Sequence, residues 1–238
     1  MKRIVAIIPA RGGSRGIPRK NIVPFCGKPL LAWSILQARA AQKVDAVYVS
    51  TDDAEIARVA RSYGAKVIDR PAEISGDTAT SESALLHAVT TIEKGGTDIR
   101  CVVFLQATSP LREASDIDTA LRAFISEKAD SLFSAVLIDD LAIWKRAAGK
   151  LVHLNPALKE RKRRQDCDEQ YAENGSIYIF TPEILRIAQK RFGGRIAVSC
   201  MEHWKIFEID TPEGLAFCRS LFQLQGLHKR SLYAPKTT

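Results

Sequence analysis

The chain has 238 residues, is 46% hydrophobic and carries a formal net charge of +8, which suits one substantial α/β core and excludes disorder as the main theme. No apolar run is long enough to cross a bilayer, and no charged-then-apolar leader with a small-residue cleavage site opens the sequence; a cytoplasmic protein with no membrane partner is expected. The five cysteines are scattered, odd in number and without a C-x-x-C pair, so they read as reduced thiols, and the four histidines have no metal-ligand spacing.

Segments rich in Val, Ile and Ala alternate with helical patterns. Strands are predicted in RIVAIIP, AVYVST, AKVID, CVVFLQ and SLFSAVLI; helices in PLLAWSILQARAAQ, DAEIARVARSYG, TSESALLHAVTTIEKG and SDIDTALRAFISEKAD. Near-continuous apolar strands joined by helices imply a Rossmann-like, doubly wound α/β fold with a mostly parallel sheet flanked by helices. From about Asp139 to Glu173 the pattern gives way to a polar, basic arm, inserted in a single domain, in which WKRAAGKLVHLNP suggests a hairpin. Strand and helix signals return in GSIYIFT, PEILRIAQ, RIAVSC and KIFEID, and TPEGLAFCRSLFQLQ is the last helix. The densest basic block, Lys159–Arg164, lacks aromatic interleaving and reads as a solvated face; no nucleic-acid partner is expected.

Ligands of such sheets sit beyond the carboxyl ends of the strands. That rule selects the loops RGGSRGIPRKN, STDD, QATSPLR and the turn after FEID. The first is neither a dinucleotide fingerprint, since Arg11 replaces the first glycine, nor a P-loop, and Pro18, Pro24 and Pro29 delay the helix that both motifs require. Gly12, Gly13 and Gly16 are expected to take positive φ and turn backbone N–H groups to an anion. Arg11, Arg15, Arg19 and Lys20 supply cation enough for a triphosphate.

IIPARGGSRGIPRKN, VSTDD, RPAEISGDTATSES, LQATSPLR, RRQDCDEQYAENGSIY and EIDTPEG, six blocks in this order over nearly the whole chain, resemble the signatures of the CMP-sialic acid synthetases (acylneuraminate cytidylyltransferases). The resemblance implies transfer of CMP from CTP to the anomeric hydroxyl of a nine-carbon 2-keto sugar acid, with release of pyrophosphate. It implies Arg11, Lys20 and Asp210 as catalytic residues, and a nucleotide site of Ala10, Arg11, Gly12, Gly13, Ser14, Arg15, Lys20, Asn21, Arg70 and Ser81. Gln106, Arg164, Asn174 and Tyr178 are implied for the sugar acid, and the arm for homodimer formation. Arg15 stands where the family often has Lys, and Ala172 where some bacterial relatives have another arginine. Related acids (legionaminate, pseudaminate, Kdn or Kdo) and a non-catalytic nucleotide-binding protein are the alternatives.

Such a reaction calls for Mg²⁺ or Mn²⁺, held by oxygen ligands. If FEID is a strand, its period of two puts Glu208 and Asp210 on one face; many relatives have Asp at the first position. Asp210 otherwise caps the helix begun by Pro212. Asp52 closes a βα turn, facing ribose, cytosine or a backbone N–H. No histidine lies in a matched block, so activation of the sugar hydroxyl falls to metal, a carboxylate or water.

Overall fold

The computed structural model describes residues 2–14, 16–138, 143–154 and 169–229. In chain order its elements are β1 (Arg3–Pro9), β2 (Pro24–Phe25), β3 (Lys28–Pro29), α1 (Leu30–Ala40), β4 (Ala46–Thr51), α2 (Ala54–Ser62), β5 (Lys66–Asp69), α3 (Ser81–Lys94) and β6 (Ile99–Leu105). There follow α4 (Ala114–Ser126), β7 (Ser131–Ile138), β8 (Trp144–Ala147), β9 (Lys150–His153), β10 (Gln170–Phe180), α5 (Pro182–Ala188), β11 (Ile196–Cys200) and α6 (Pro212–Leu224).

Seven strands form one sheet in the order β11-β7-β10-β6-β1-β4-β5. Every pairing is parallel except those of β10, which runs antiparallel between β6 and β7. Successive residues of β1 serve opposite faces. Ile4, Ala6 and Ile8 pack with α1, α2 and α4; Val5 and Ile7 pack with α3 and α5. Both faces are covered, which is why the parallel strands read as unbroken apolar runs.

The α1 helix is buried over its whole circumference from Leu30 to Ala38, because α6 covers the side turned away from the sheet. Trp33, Leu36, Leu215 and Phe222 form that third layer, and Phe222 meets the Trp33 ring edge to face at 4.6 Å. Such a contact contributes about 0.5–1.5 kcal/mol beyond burial. The two polar residues inside α1 are tied to the loop after β6. Gln37 Nε2 donates to the carbonyls of Pro110 (2.8 Å) and Arg112 (2.7 Å), and Ser34 Oγ accepts from Arg112.

The inserted hairpin is present as β8–β9. Ala148 and Gly149 both have positive φ, 47° and 77°, as a two-residue turn matched to strand twist requires. The expected strand in KIFEID is corrected. His203–Ile206 is a short 3-10 turn, and residues 207–210 belong to no strand. Ile209 donates its N–H to Thr108 O at 2.8 Å, in the loop after β6, in place of a ladder partner.

Candidate active site

At the carboxyl ends of β1 and β6 lies a cleft of about 390 Å³, lined among others by Arg11, Ser14, Lys20, Asn21, Ser81, Gln106 and Asp210. The RGGSRGIPRKN loop forms one wall. Asn21, nearly fully buried, closes it on itself by donating from Nδ2 to Arg11 O at 2.9 Å. Arg11 reaches outward to the loop before α3, its Nη1 lying 2.7 Å from Gly76 O and 3.4 Å from Asp77 Oδ1. Both partners are exposed and exchangeable for a stronger anion.

The opposite wall is acidic. Lys20 Nζ lies 2.8 Å from Asp210 Oδ1; the lysine side chain is 16% exposed and the aspartate 68%. Asp210 is not the cap of α6: Thr211 holds that position, its hydroxyl accepting from Gly214 N at 3.1 Å. The carboxylate of Asp210 is therefore left to the cleft.

The glycines act by close approach. None of Gly12, Gly13 and Gly16 has positive φ; among the described residues of this loop Arg19 does, at 53°. A Cβ on Gly16 would come within 2.2 Å of Asp210 O, and one on Gly12 within 2.8 Å of the Asp53 carboxylate, whereas Gly13 has nothing within 4 Å. Gly16 thus lets the cationic loop lie directly on the acidic turn.

Arg19 is also corrected as a phosphate ligand. Its guanidinium faces α2, with Nη2 at 3.2 Å from Asp53 Oδ1 and 2.7 Å from Glu55 Oε2. Asp53 caps α2 by accepting from Glu55 and Ile56, and the bond from Ile56 N–H, with Arg19 beside it, holds its carboxyl below the usual range. Asp52 accepts from Gly12 N at 3.1 Å, the backbone role among the three considered. Arg70 lies beneath the loop, 8% exposed, with Nη2 at 2.5 Å from Ser50 O and Nε at 3.2 Å from Ser50 Oγ. Burial lowers its pKa, Asp52 counteracting and Arg11 adding to the effect. Ala10 is buried behind the cleft, its N–H bonded to Ser50 O at 2.9 Å.

A second corner of the cleft is built where β6 and β10 part. The β10 register with β7 shifts between Glu173 and Tyr178. Inside that irregularity Gly175 has φ +65°, and a Cβ there would overlap Glu208 Oε1 and come within 3.0 Å of Gln106 Nε2. Glycine is needed at this point on both counts. Burial, then the charge of Asp210, pushes the Glu208 carboxyl up to about 7, against a hydrogen bond from Ser109 and the charges of Arg112 and Lys20. Glu208 and Asp210 flank a buried Ile209 on a segment that is no strand; the charge of Asp210 is felt at Glu208.

The sequence expectation put Asn174 on a pocket wall; the structure puts it behind that wall, 2% exposed. Its Oδ1 accepts from Ser134 Oγ (2.6 Å) and Ser176 N (3.2 Å), and its Nδ2 donates to Lys205 O (3.4 Å). An amide so occupied shapes the corner from inside. Tyr178 stacks on Phe104, a cleft residue, with centroids 5.2 Å apart, and its hydroxyl bonds Glu173. Burial, then that bond, raises its pKa. Arg15 and Arg164, like Cys167 and the basic block, lie outside the described residues.

Residues the sequence reading gave no role also build the site. Lys205, 2% exposed, meets Glu113 (3.1 Å), Asp116 (2.8 Å) and Glu202 (2.7 Å), fixing the chain just before Glu208. Breaking such a buried cluster from one side costs about 3–5 kcal/mol. Only its burial distinguishes Lys205 from other lysines, and burial is not written in sequence.

The described residues contain no group of three or more His, Cys, Asp or Glu side chains placed to hold a metal, and no helix among them is long and apolar enough to cross a membrane. The Glu208–Asp210 pair nevertheless suits Mg²⁺, which takes one or two carboxylates and completes its shell with water and substrate phosphates. Two like charges held together, with a buried carboxyl that resists ionisation, are what a divalent cation relieves.

The model of the cytidylyltransferase family matches residues 5–235. The chain is 36% identical over 190 residues to N-acylneuraminate cytidylyltransferase A of Danio rerio, covering 77% of this chain and 43% of that protein. It is 32% identical over 224 residues to the pseudaminic acid cytidylyltransferase of Campylobacter jejuni, covering 92% and 96%. The chain thus spans less than half the length of the N-acylneuraminate enzyme. A solved structure of CMP:2-keto-3-deoxy-manno-octonic acid synthetase complexed with CTP superposes with a TM-score of 0.68 at 18% identity, over 94% of this chain and 100% of that one, which shows the shared fold. On the family match and these sequence relatives together, the chain belongs to the cytidylyltransferase family.

Proposed function

We propose that the protein transfers CMP from CTP to the anomeric hydroxyl of a nine-carbon 2-keto sugar acid, releasing pyrophosphate. The observation that supports this most directly is the convergence of Arg11, Ser14 and Lys20 with Gln106 and Asp210 on one cleft. In this reading Arg11 and Lys20 bind the triphosphate and offset charge on the oxygens of the departing pyrophosphate, while Ser14, Asn21 and Ser81 orient the nucleotide. The sugar hydroxyl attacks the α-phosphorus, the bond to the bridging oxygen breaks, and the hydroxyl proton passes to a carboxylate or to water.

Asp210, with Glu208 behind it, would hold Mg²⁺. The ion supplies charge neutralisation and orientation of the phosphates when bound. Gln106 and the Gly175 turn receive the sugar acid. Both N-acylneuraminate and pseudaminate are supported as that acid, the second because its cytidylyltransferase matches over nearly its whole length.

Pyrophosphate release with CTP, Mg²⁺ and a panel of 2-keto sugar acids tests the proposal. Turnover with at least one acid is expected; CTP binding without turnover on any acid would overturn it.

The β8–β9 hairpin carries Trp144 and Leu151, 55% and 59% exposed. Large apolar side chains this exposed are surface that a partner can cover, which supports pairing of two copies through this arm. The four described cysteines are free thiols, consistent with a cytoplasmic enzyme.

A further inference from the structure

Arg112 closes the LQATSPLR segment and is 1% exposed. Burying a guanidinium is costly unless its donors are used. Here both terminal nitrogens are bonded, to a carbonyl just past β6, a carbonyl of β10 and a hydroxyl of α1. Nη2 donates to Gln106 O at 2.8 Å and to Ser34 Oγ at 2.5 Å, and Nη1 to Ser176 O at 2.9 Å. The β6–β10 ladder ends at the pair Leu105–Ile177. Gln106 and Ser176 are the next residues on either side, where the strands splay. A fork with donors in fixed directions satisfies both carbonyls at once; an ammonium on a flexible stem does not.

What the fork holds apart is the sugar-side corner. A Cβ on Gly175, the residue before Ser176, would meet both the Glu208 carboxylate and Gln106 Nε2, so these three residues crowd one corner. We infer that Arg112 is a positioning residue for the acid substrate, clamping the splayed ends of β6 and β10 so that Gln106 and the Gly175 turn keep the spacing the sugar site needs. The inference rests on the proposed function for its substrate, though the clamp itself does not.

Arg112→Lys keeps the charge and removes the fork. Misplacement of a binding group by an ångström costs up to about 10²-fold, so the KM for the sugar acid is expected to rise about tenfold or more while that for CTP stays within about twofold. Backbone amide exchange, read by mass spectrometry, is expected to quicken in segments 106–109 and 174–177 and to stay unchanged in β1. A folded lysine variant with wild-type acid KM and exchange, or one in which both KM values rise equally, would overturn the clamp. If the lysine variant does not fold, Ser34→Ala, which removes a single acceptor, decides by the same two measurements. A rise of about threefold in acid KM with faster exchange at 106–109 supports the clamp, and no change in either overturns it. A wild-type protein inactive on every acid would sink the functional reading, while the exchange result would still decide the role of Arg112.

Discussion

The ammonium of Lys20 and the carboxylate of Asp210 meet at 2.8 Å across 190 positions of sequence. That contact joins the cationic loop after the first strand to the acidic turn before the last helix, and makes one site of two segments with little in common locally. Since Asp210 is 68% exposed, the pair contributes little to stability, at most about 1 kcal/mol. Lys20→Ala and Asp210→Ala should each lower kcat/KM for pyrophosphate release by at least about 10²–10³-fold, the usual loss when a group stabilising transition-state charge is removed. Melting temperatures should stay near wild type. Activity within a few-fold of wild type in either variant would exclude the assigned role.

Gly16 and Gly13 make a matched comparison within one loop. Gly16→Ala places a methyl group within 2.2 Å of Asp210 O, whereas Gly13→Ala meets nothing within 4 Å. The first should cost about 1–3 kcal/mol, as overpacking does, and reduce activity by pushing Asp210 from Lys20. The second should leave the thermal melt unchanged, so that any loss of turnover it causes reports contact of the added methyl group with the nucleotide.

Arg19→Ala should separate structural from phosphate-binding cations. Arg19 faces Asp53 and Glu55, so its loss should lower the melting temperature slightly and change the KM for CTP by less than about threefold, as for a surface ion pair remote from the ligand. Arg11→Ala should raise that KM by an order of magnitude or more, a charged contact to phosphate being worth about 1.5–3 kcal/mol.

The raised pKa of Glu208, about 7 against an ordinary 4.5, gives metal-free stability a pH signature. The folded protein holds the proton more tightly than the unfolded chain, so this group's stabilising contribution is complete below about pH 4.5 and is lost as pH rises through 7. Wild type should therefore lose melting temperature relative to Glu208→Gln between pH 5 and pH 8. Parallel pH profiles for the two proteins would show that Glu208 is not buried as described.

Trp144→Asp with Leu151→Asp should convert a dimer to a monomer in sedimentation if the hairpin joins two copies, since charge at an apolar contact centre opposes association. An unchanged mass would place the arm's role elsewhere.

The fold was legible because its strands carry their environment in their composition. Ser131–Ile138 and Ala46–Thr51 have the predicted boundaries, the first mostly and the second nearly all buried. KIFEID misled for the same reason: Lys205, Ile206 and Ile209 give a strand's pattern, yet a buried ion cluster and a core contact, not a ladder, hold them. The cleft residues were legible through motif resemblance and loop position. Asn174 and Arg112 were harder, because a polar side chain that serves backbone carbonyls inside the protein is written with the same letters as one that serves a ligand.

One feature of the sheet sets how such a site can vary. Gln170 pairs with Ile138, so the arm leaves and re-enters the fold on adjacent strands, beyond the point where β6 has ended. The β8–β9 hairpin lies between these two points in the sequence. A change in the length of such an insertion is therefore absorbed at the β7–β10 pair, while the cleft loops that follow β1, β4 and β5 belong to the other half of the sheet.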